Sequence, residues 1–261
     1  MKRYTLITGA CINTGVDIVK KFAGEGKNVV FTGRSESSVA EAERLYKSEF
    51  PSVDIKGFVL NSLTDSEKVD EEGVAALFST LDGEGIFIEH LILNAADQGL
   101  GMKTLEDSLS DFMRVLNTNV TWNYLIATAA AKRMQKMGGG SILFINSNTA
   151  YRAIPDRVAY VSSKGGQLGL MRALALDLGK YGIRVNALLP GMIKTDRWVK
   201  NPDFYKTVPS RYTPIGDVAV GADIADAAWY FAECARNTTG AELVIDGGNT
   251  IQLYPIIPKD E

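Results

Sequence analysis

Seven short apolar runs punctuate the chain: Tyr4–Thr8, Asn28–Thr32, Asp54–Leu60, Ile86–Leu93, Ser141–Asn146, Arg184–Leu189 and Glu242–Asp246. Each has strand length, and the stretches between them have room for crossover helices. Strands alternating with helices in this way predict parallel pairing. Ile86–Leu93 is nearly continuously apolar, as a strand buried on both faces must be. The pattern predicts an α/β, doubly wound, seven-stranded parallel sheet with helices on both faces. Its ligand crevice would lie outside the carboxyl ends of the strands. Gly9, Asn94, Ser147 and Pro190 all fall at such ends.

Helical periodicity or capping marks Val16–Ala23, Ser37–Phe50, Thr64–Leu81, Leu105–Met137 and Ala222–Ala235. Thr64 followed by Glu67 reads as a capping box. The acidic run Asp70–Glu72 reads as a solvated helix face, and Gly138–Gly140 as a helix stop. No repeat or linker divides the chain, so residues 1–261 are expected to form one domain. Residues 192–221, with Trp198, Phe204, Tyr205 and Tyr212, form a long irregular segment expected to act as a lid.

The 261 residues are 46% hydrophobic, enough for a sizeable core. Net charge is −3 without a basic tract, which argues against a nucleic-acid surface. No apolar run reaches the ~18 residues of a membrane span, and the N-terminus enters a strand without a signal-type apolar stretch. Cys11 and Cys234 are far apart and lack metal spacing, so a reduced, cytoplasmic setting is expected. The single histidine, His90, borders an apolar run and reads as structural. No metal site is expected.

The chemistry concentrates in Gly140–Gly169. Tyr160 and Lys164 stand at i and i+4 on a helical pattern, so they share a face. Ser147 leaves the preceding strand thirteen residues before Tyr160. A phenol titrates near 10, and a neighbouring ammonium lowers that value. A phenol so tuned exchanges a proton with a carbonyl or alcohol oxygen, and a serine hydroxyl can hold that oxygen.

The first strand–turn–helix, Thr8-Gly9 through Gly15, can aim a helix N-terminus at a phosphate. Asn13 holds the place of the middle glycine of such a turn, and asparagine tolerates positive φ better than most residues. The second strand ends in Gly33-Arg34. An acid there would suit the ribose of NAD, whereas Arg34 suits the 2′-phosphate of NADP. Asn61, after the third strand, could bond adenine. Asn94-Ala95-Ala96 are small enough for a cofactor to lie against the backbone. Asn119 is either a satisfied core amide or part of a proton relay.

With these motifs together the chain resembles the short-chain dehydrogenase/reductase family over nearly its full length. Thr8-Gly9 to Gly15 is similar to the family's cofactor turn and Asn94-Ala95-Ala96 to its Asn-Ala-Gly motif. Ser147, Tyr160 and Lys164 match its Ser and Tyr-x-x-x-Lys, and Asn119 falls at its fourth catalytic position. Pro190-Gly191, Ile193 and Thr195 resemble the element that contacts the nicotinamide carboxamide. The chain departs from the pattern at Asn13 and Thr14 (for Gly and Ile), at Ala96 (for Gly) and at Asn61 (for Asp).

The resemblance implies a Rossmann fold and an oxidoreductase exchanging hydride between NADP(H), ahead of NAD(H), and a carbonyl or secondary alcohol. Its implied catalytic set is Asn119, Ser147, Tyr160 and Lys164. The implied cofactor contacts are Gly9, Asn13, Thr14, Gly15, Arg34, Asn61, Asn94, Ala95, Tyr160, Lys164, Pro190, Gly191, Ile193 and Thr195. Pocket walls are expected from Asp97, Gln98, Asn148, Tyr151, Arg152, Met192 and Trp198, a mixture that favours a polar small-molecule substrate. A homotetramer, or a homodimer, is implied. The alternative reading is a catalytically silent cofactor sensor or scaffold on the same fold.

Overall fold

A computed structural model describes residues 2–195 and 213–253. The strands are β1 (Lys2–Ile7), β2 (Asn28–Gly33), β3 (Ile55–Val59), β4 (Ile86–Leu93), β5 (Gly140–Ile145), β6 (Ile183–Pro190) and β7 (Glu242–Ile245). They form one sheet in the order β3-β2-β1-β4-β5-β6-β7, and every pairing is parallel. The order reverses beside β1, between β1 and β4, where a doubly wound sheet opens its crevice.

The alternation of side chains along each strand feeds two cores. On one face Leu6, Leu91 and Phe144 pack with helices α3 (Glu71–Gly83), α5 (Trp122–Lys136) and α6 (Val158–Gly179). On the other, Ile7, Ile92 and Leu143 pack with α1 (Thr14–Gly24), α2 (Glu36–Glu49) and α7 (Gly221–Trp229). Adjacent residues on β1, β4 and β5 thus point to opposite layers, the period of two expected of a strand.

Two expected helices begin later than their sequence suggests. The helix predicted from Thr64 starts at Glu71 instead. The Thr64–Glu67 pair closes a turn in which the Glu67 amide donates to the Thr64 carbonyl, with Glu67 at φ 59°. Asp70 is the cap, accepting from the Gly73 amide at 2.9 Å. The acidic run therefore lies at a helix N-terminus, where it complements the dipole, and Glu71 and Glu72 are exposed there, as expected of a solvated face. The region predicted from Leu105 begins as α4 (Leu109–Leu116), capped by Ser108 and Asp111 in a capping box. It passes through a wide π turn, Asn117–Thr121, before continuing as α5. A second π turn, Tyr230–Cys234, follows α7. No described helix is long and apolar enough to cross a membrane.

Candidate active site

The site is assembled at the carboxyl end of β5. Asn146 follows the strand and is buried. Its amide nitrogen donates to the Lys164 carbonyl at 3.0 Å and to Gln167 Oε1 at 3.1 Å, while its oxygen accepts from the Ser147 amide at 2.6 Å. Asn146 thereby fixes the strand end to α6. Ser147, in extended backbone, caps a 3₁₀ turn (Asn148–Ala150) by accepting from the Thr149 amide at 3.2 Å.

Helix α6 begins at Val158 and brings Tyr160 to Ser147, whose hydroxyl favours the ionised phenol. Burial pushes the phenol above its ordinary value, and the Ser147 hydroxyl and the Arg157 charge pull it back down. Those are the moderating groups, where the sequence suggested Lys164. The Lys164 side chain is 1% exposed. Its ammonium donates to the Ile145 carbonyl at 3.0 Å and to Gln167 Oε1 at 3.2 Å, and lies 5.6 Å from the Tyr160 ring centre. Burial pulls it down to about 7.

Asn119 lies inside the first π turn and is fully buried. Its side chain accepts from the Asp97 amide and donates to the Asp97 carbonyl, both at 2.8 Å, and donates to Ser163 Oγ at 2.9 Å. Its backbone carbonyl accepts from Asn123 Nδ2 at 2.8 Å and from Gln167 Nε2 at 2.5 Å. Both readings of Asn119 thus share one geometry: the side chain is satisfied, and the carbonyl leads through Gln167 to Lys164.

The nucleotide end of the crevice is built on β1 and β2. Asn13 has a positive φ of 51°. It places no side-chain cap on α1, so that helix N-terminus is left for an anion. Thr14 and Gly15 are its first residues. The Gly9 and Ala10 amides are already held, by the Thr32 hydroxyl at 3.2 Å and the Thr32 carbonyl at 2.9 Å. At the end of β2 a Cβ on Gly33 would stand 2.4 Å from Cys11 Sγ and 2.8 Å from Val39 Cγ2, so no acid fits there. Arg34 beyond it is exposed, next to Ser35, the N-cap of α2, and Asn61 is exposed after β3. This donor set, a helix N-terminus without a side-chain cap and an exposed arginine beyond β2, fits a nicotinamide dinucleotide.

Other expected contacts are redirected. Asn94 acts as a brace, donating to the Thr8 and Gly9 carbonyls at 3.1 Å, and Ala95 packs against Gly9. Pro190 ends β6. A Cβ on Gly191 would lie 2.6 Å from Asp246 Cβ, so only glycine lets β7 approach. Ile193 bridges to Ala219, and Met192 and Thr195 flank it, half-buried.

Among the pocket residues, Asp97 is committed to Arg114 and to the Gly99 amide. Asn148 donates to Asp246 at 3.2 Å and Asn249 at 3.3 Å. Tyr151 is turned away, its hydroxyl donating to Glu242. Gln98 and Arg152 are exposed. Trp198 and most of the expected lid lie outside the described residues. Sequence reasoning missed Arg157 and Gln167. The signal for Gln167 was helical spacing, three residues beyond Lys164 on the same face; Arg157 precedes the helix as its N-cap and carried no such signal.

The family model described as enoyl-(acyl carrier protein) reductase matches residues 9–250. The chain belongs to the short-chain dehydrogenase/reductase family. It is similar to glucose 1-dehydrogenase 2 of Bacillus subtilis, with 33% identity covering 96% of this chain and 95% of the relative. It is similar to D-threitol dehydrogenase of Mycolicibacterium smegmatis, with 31% identity covering 96% and 94%. Among solved structures, ElxO with NADP bound superposes with a TM-score of 0.86 at 28% identity, covering 97% of this chain and all of that one. As a short-chain dehydrogenase/reductase the protein is an oxidoreductase acting on CH–OH groups. Its parallel sheet, the strand order and the helix carrying Tyr160 and Lys164 are those of a Rossmann-type fold.

Proposed function

We propose that the protein interconverts a polar carbonyl compound and its secondary alcohol with NADP(H), Tyr160 acting as general acid and base. The observation that carries this reading is the buried Lys164 ammonium 5.6 Å from the Tyr160 ring centre, with Ser147 acting on the phenol. When bound, the nicotinamide supplies hydride exchange at the substrate carbon. Ser147 positions the substrate oxygen, and Tyr160 gives it a proton in reduction or takes one in oxidation. Lys164 holds a positive charge beneath the phenol and is suited to a ribose hydroxyl. Asn119 holds the loop at Asp97 in place. The open N-terminus of α1 at Thr14 and Gly15 would take the pyrophosphate, and Arg34 with Ser35 the 2′-phosphate. The segment Pro190–Thr195 would face the nicotinamide.

Tyr160→Phe keeps the packed ring and removes the proton. Turnover should fall at least a hundredfold, the usual scale of general acid–base catalysis, with NADPH affinity held within about threefold. A variant retaining near-wild-type kcat refutes the mechanism and favours the silent-member reading. For cofactor choice, a charge-assisted contact to phosphate is worth about 1.5–3 kcal/mol, so NADPH should be preferred by roughly tenfold to over a hundredfold. Arg34→Ala should erase most of that preference; equal kcat/KM for NADPH and NADH in the wild type would count against it.

The polar-substrate reading rests on the exposed Gln98 and Arg152 and on Arg157, whose charge reaches the phenol. The names of the glucose and threitol dehydrogenases above support polyhydroxylated compounds. A panel of polyols, hydroxy acids and plain aliphatic alcohols tests it, and faster turnover of the aliphatic members would sink it. The same reading takes residues 1–261 as one domain and the protein as a homotetramer. Exposed Leu109, Met113, Tyr124 and Leu176 on the helices and Leu243 and Val244 on edge strand β7 support assembly. Light scattering would decide the mass.

A further inference from the structure

The π turn, Asn146 and Lys164 converge on one side chain that no motif includes. Gln167 is 1% exposed. Its nitrogen donates to the Asn119 carbonyl at 2.5 Å, and its oxygen accepts from Lys164 Nζ at 3.2 Å and from Asn146 Nδ2 at 3.1 Å. Donor and acceptor ends are each matched to a group of fixed polarity: a carbonyl can only accept, and an ammonium can only donate. The orientation of the amide is therefore dictated by its surroundings. Gln167 is three residues beyond Lys164, on the same helix face and one turn deeper, so it grips the lysine from below.

We propose that Gln167 is a positioning residue for the proposed chemistry, holding the Lys164 ammonium beneath Tyr160 and tying it directly to the carbonyl opened by the π turn at Asn119. The proposal rests on the Tyr160 mechanism above. Two acceptors hold Lys164, the Ile145 carbonyl and Gln167 Oε1. Removing one removes half of what favours its charged form in a buried place, because hydrogen bonds to the charged form stabilise it. The other charged or titratable groups facing this cluster are Tyr160 and Arg157 on α6. Across Asn119 lies the Asp97–Arg114 ion pair, whose charges offset each other. None of these supplies a carboxylate to Lys164, so the amide oxygen has no ionic substitute.

The test uses Gln167→Met, close in volume and without an acceptor oxygen of comparable strength. The probe is the alcohol of the panel above that the wild type oxidises fastest with NADP+, followed as kcat against pH. Only the ammonium form of Lys164 serves the proposed step, and with one acceptor gone it gives up its proton at lower pH. The high-pH limb of kcat should move down by about one pH unit and kcat at pH 7 should fall about fivefold, with KM for the alcohol within threefold. A merely structural role would lower the melting temperature and leave the limb in place, and that result overturns the proposal. Gln167→Glu keeps an acceptor toward Lys164 and covers the case in which Gln167→Met fails to fold. Its carboxylate favours the ammonium, so the limb should not fall below that of the wild type; a displacement downward by a full unit refutes the assignment. Tyr160→Phe, run in parallel, separates the levels. If it retains turnover the mechanism itself fails; if it is inactive and the Gln167→Met limb is unmoved, only the role of Gln167 falls.

Discussion

Two buried titratable clusters sit on the same strand and are built in opposite ways. Near the start of β5, Ser141 meets His90 Nδ1 at 2.8 Å, and His90 Nε2 meets Glu233 at 3.0 Å, with Lys27 pairing to the same carboxylate at 2.5 Å. Near its end, about 13 Å away at strand rise, Ile145 and Gln167 hold Lys164 with neutral oxygens only. The first cluster offers charges their counter-ions. The second leaves an ammonium without one, and burial alone draws it down to about 7. A protein retains such a group where its chemistry requires it, since folding alone would be better served by an apolar side chain.

The largest test of this contrast is Lys164→Met. Turnover should fall by about a hundredfold to a thousandfold, yet the fold should gain stability. The folded value of about 7 lies below the unfolded 10.5. The lysine therefore costs stability that is fully lost below pH 7 and recovered as pH rises toward 10.5. At about 1.4 kcal/mol per pKa unit the gross cost is roughly 3–5 kcal/mol. Leaving the Ile145 carbonyl without the ammonium returns about 1–3 kcal/mol, while Gln167 Oε1 keeps its Asn146 donor, so the net gain is about 2 kcal/mol. Melting curves should show the gain at pH 7 and its disappearance near pH 10. A loss at pH 7, or a gain that ignores pH, would break the comparison.

Glu233→Gln probes the other cluster and should do the reverse, lowering stability and leaving turnover alone. The His90 bond, followed by Lys27, holds the Glu233 carboxyl down to about 2, below its unfolded 4.5. Its contribution is thus present above pH 4.5 and fades as pH falls toward 2. The group is a quarter exposed, so solvent screening trims the gain to about 1–2 kcal/mol. Urea midpoints for the two proteins should differ at pH 7 and approach each other by pH 2.5. A variant as stable as the wild type at pH 7 would remove the structural reading of His90.

The difference between the clusters also explains what the sequence made legible. The strands could be read because both cores need apolar side chains on both faces of the sheet, and Ile86–Leu93 matches β4 to the residue. Ser147, Tyr160 and Lys164 could be read because their spacing carries them to one strand end and one helix face. The start of α3 was hidden, because a capping pattern at Thr64 and Glu67 serves equally well in a turn, and Asp70 competes for the same role. Gln167 and Arg157 were hidden for a different reason. A polar residue on a helix shows its purpose only once its partners are known, and those partners come from the π turn, β5 and the Gly99 loop. Tyr151 was misplaced because a residue after a strand end can turn toward either side of the crevice, and the Glu242 carboxylate on β7 draws it outward.

The smallest effect tests whether the site end of the sheet also carries backbone cost. Asn13 sits at φ 51° at the head of α1. Positive φ is natural to glycine and strained for other residues. Asn13→Gly should relieve roughly 1–3 kcal/mol of strain and give back about 0.4–1 kcal/mol through the freer unfolded chain. The expected net gain is about 0.5–2 kcal/mol. Asn13→Ala removes the side chain without relieving the backbone, so it should gain nothing. If the glycine variant is less stable than the wild type, the strain assignment is wrong and the costs at this end are confined to Lys164. The side chain is exposed and caps no amide of α1, so NADPH affinity measured by fluorescence should stay within about threefold for both variants. A glycine variant that gains stability but loses NADPH affinity tenfold would give the Asn13 amide a share in holding the pyrophosphate. The strained residue would then join Lys164 as a cost retained for ligand binding.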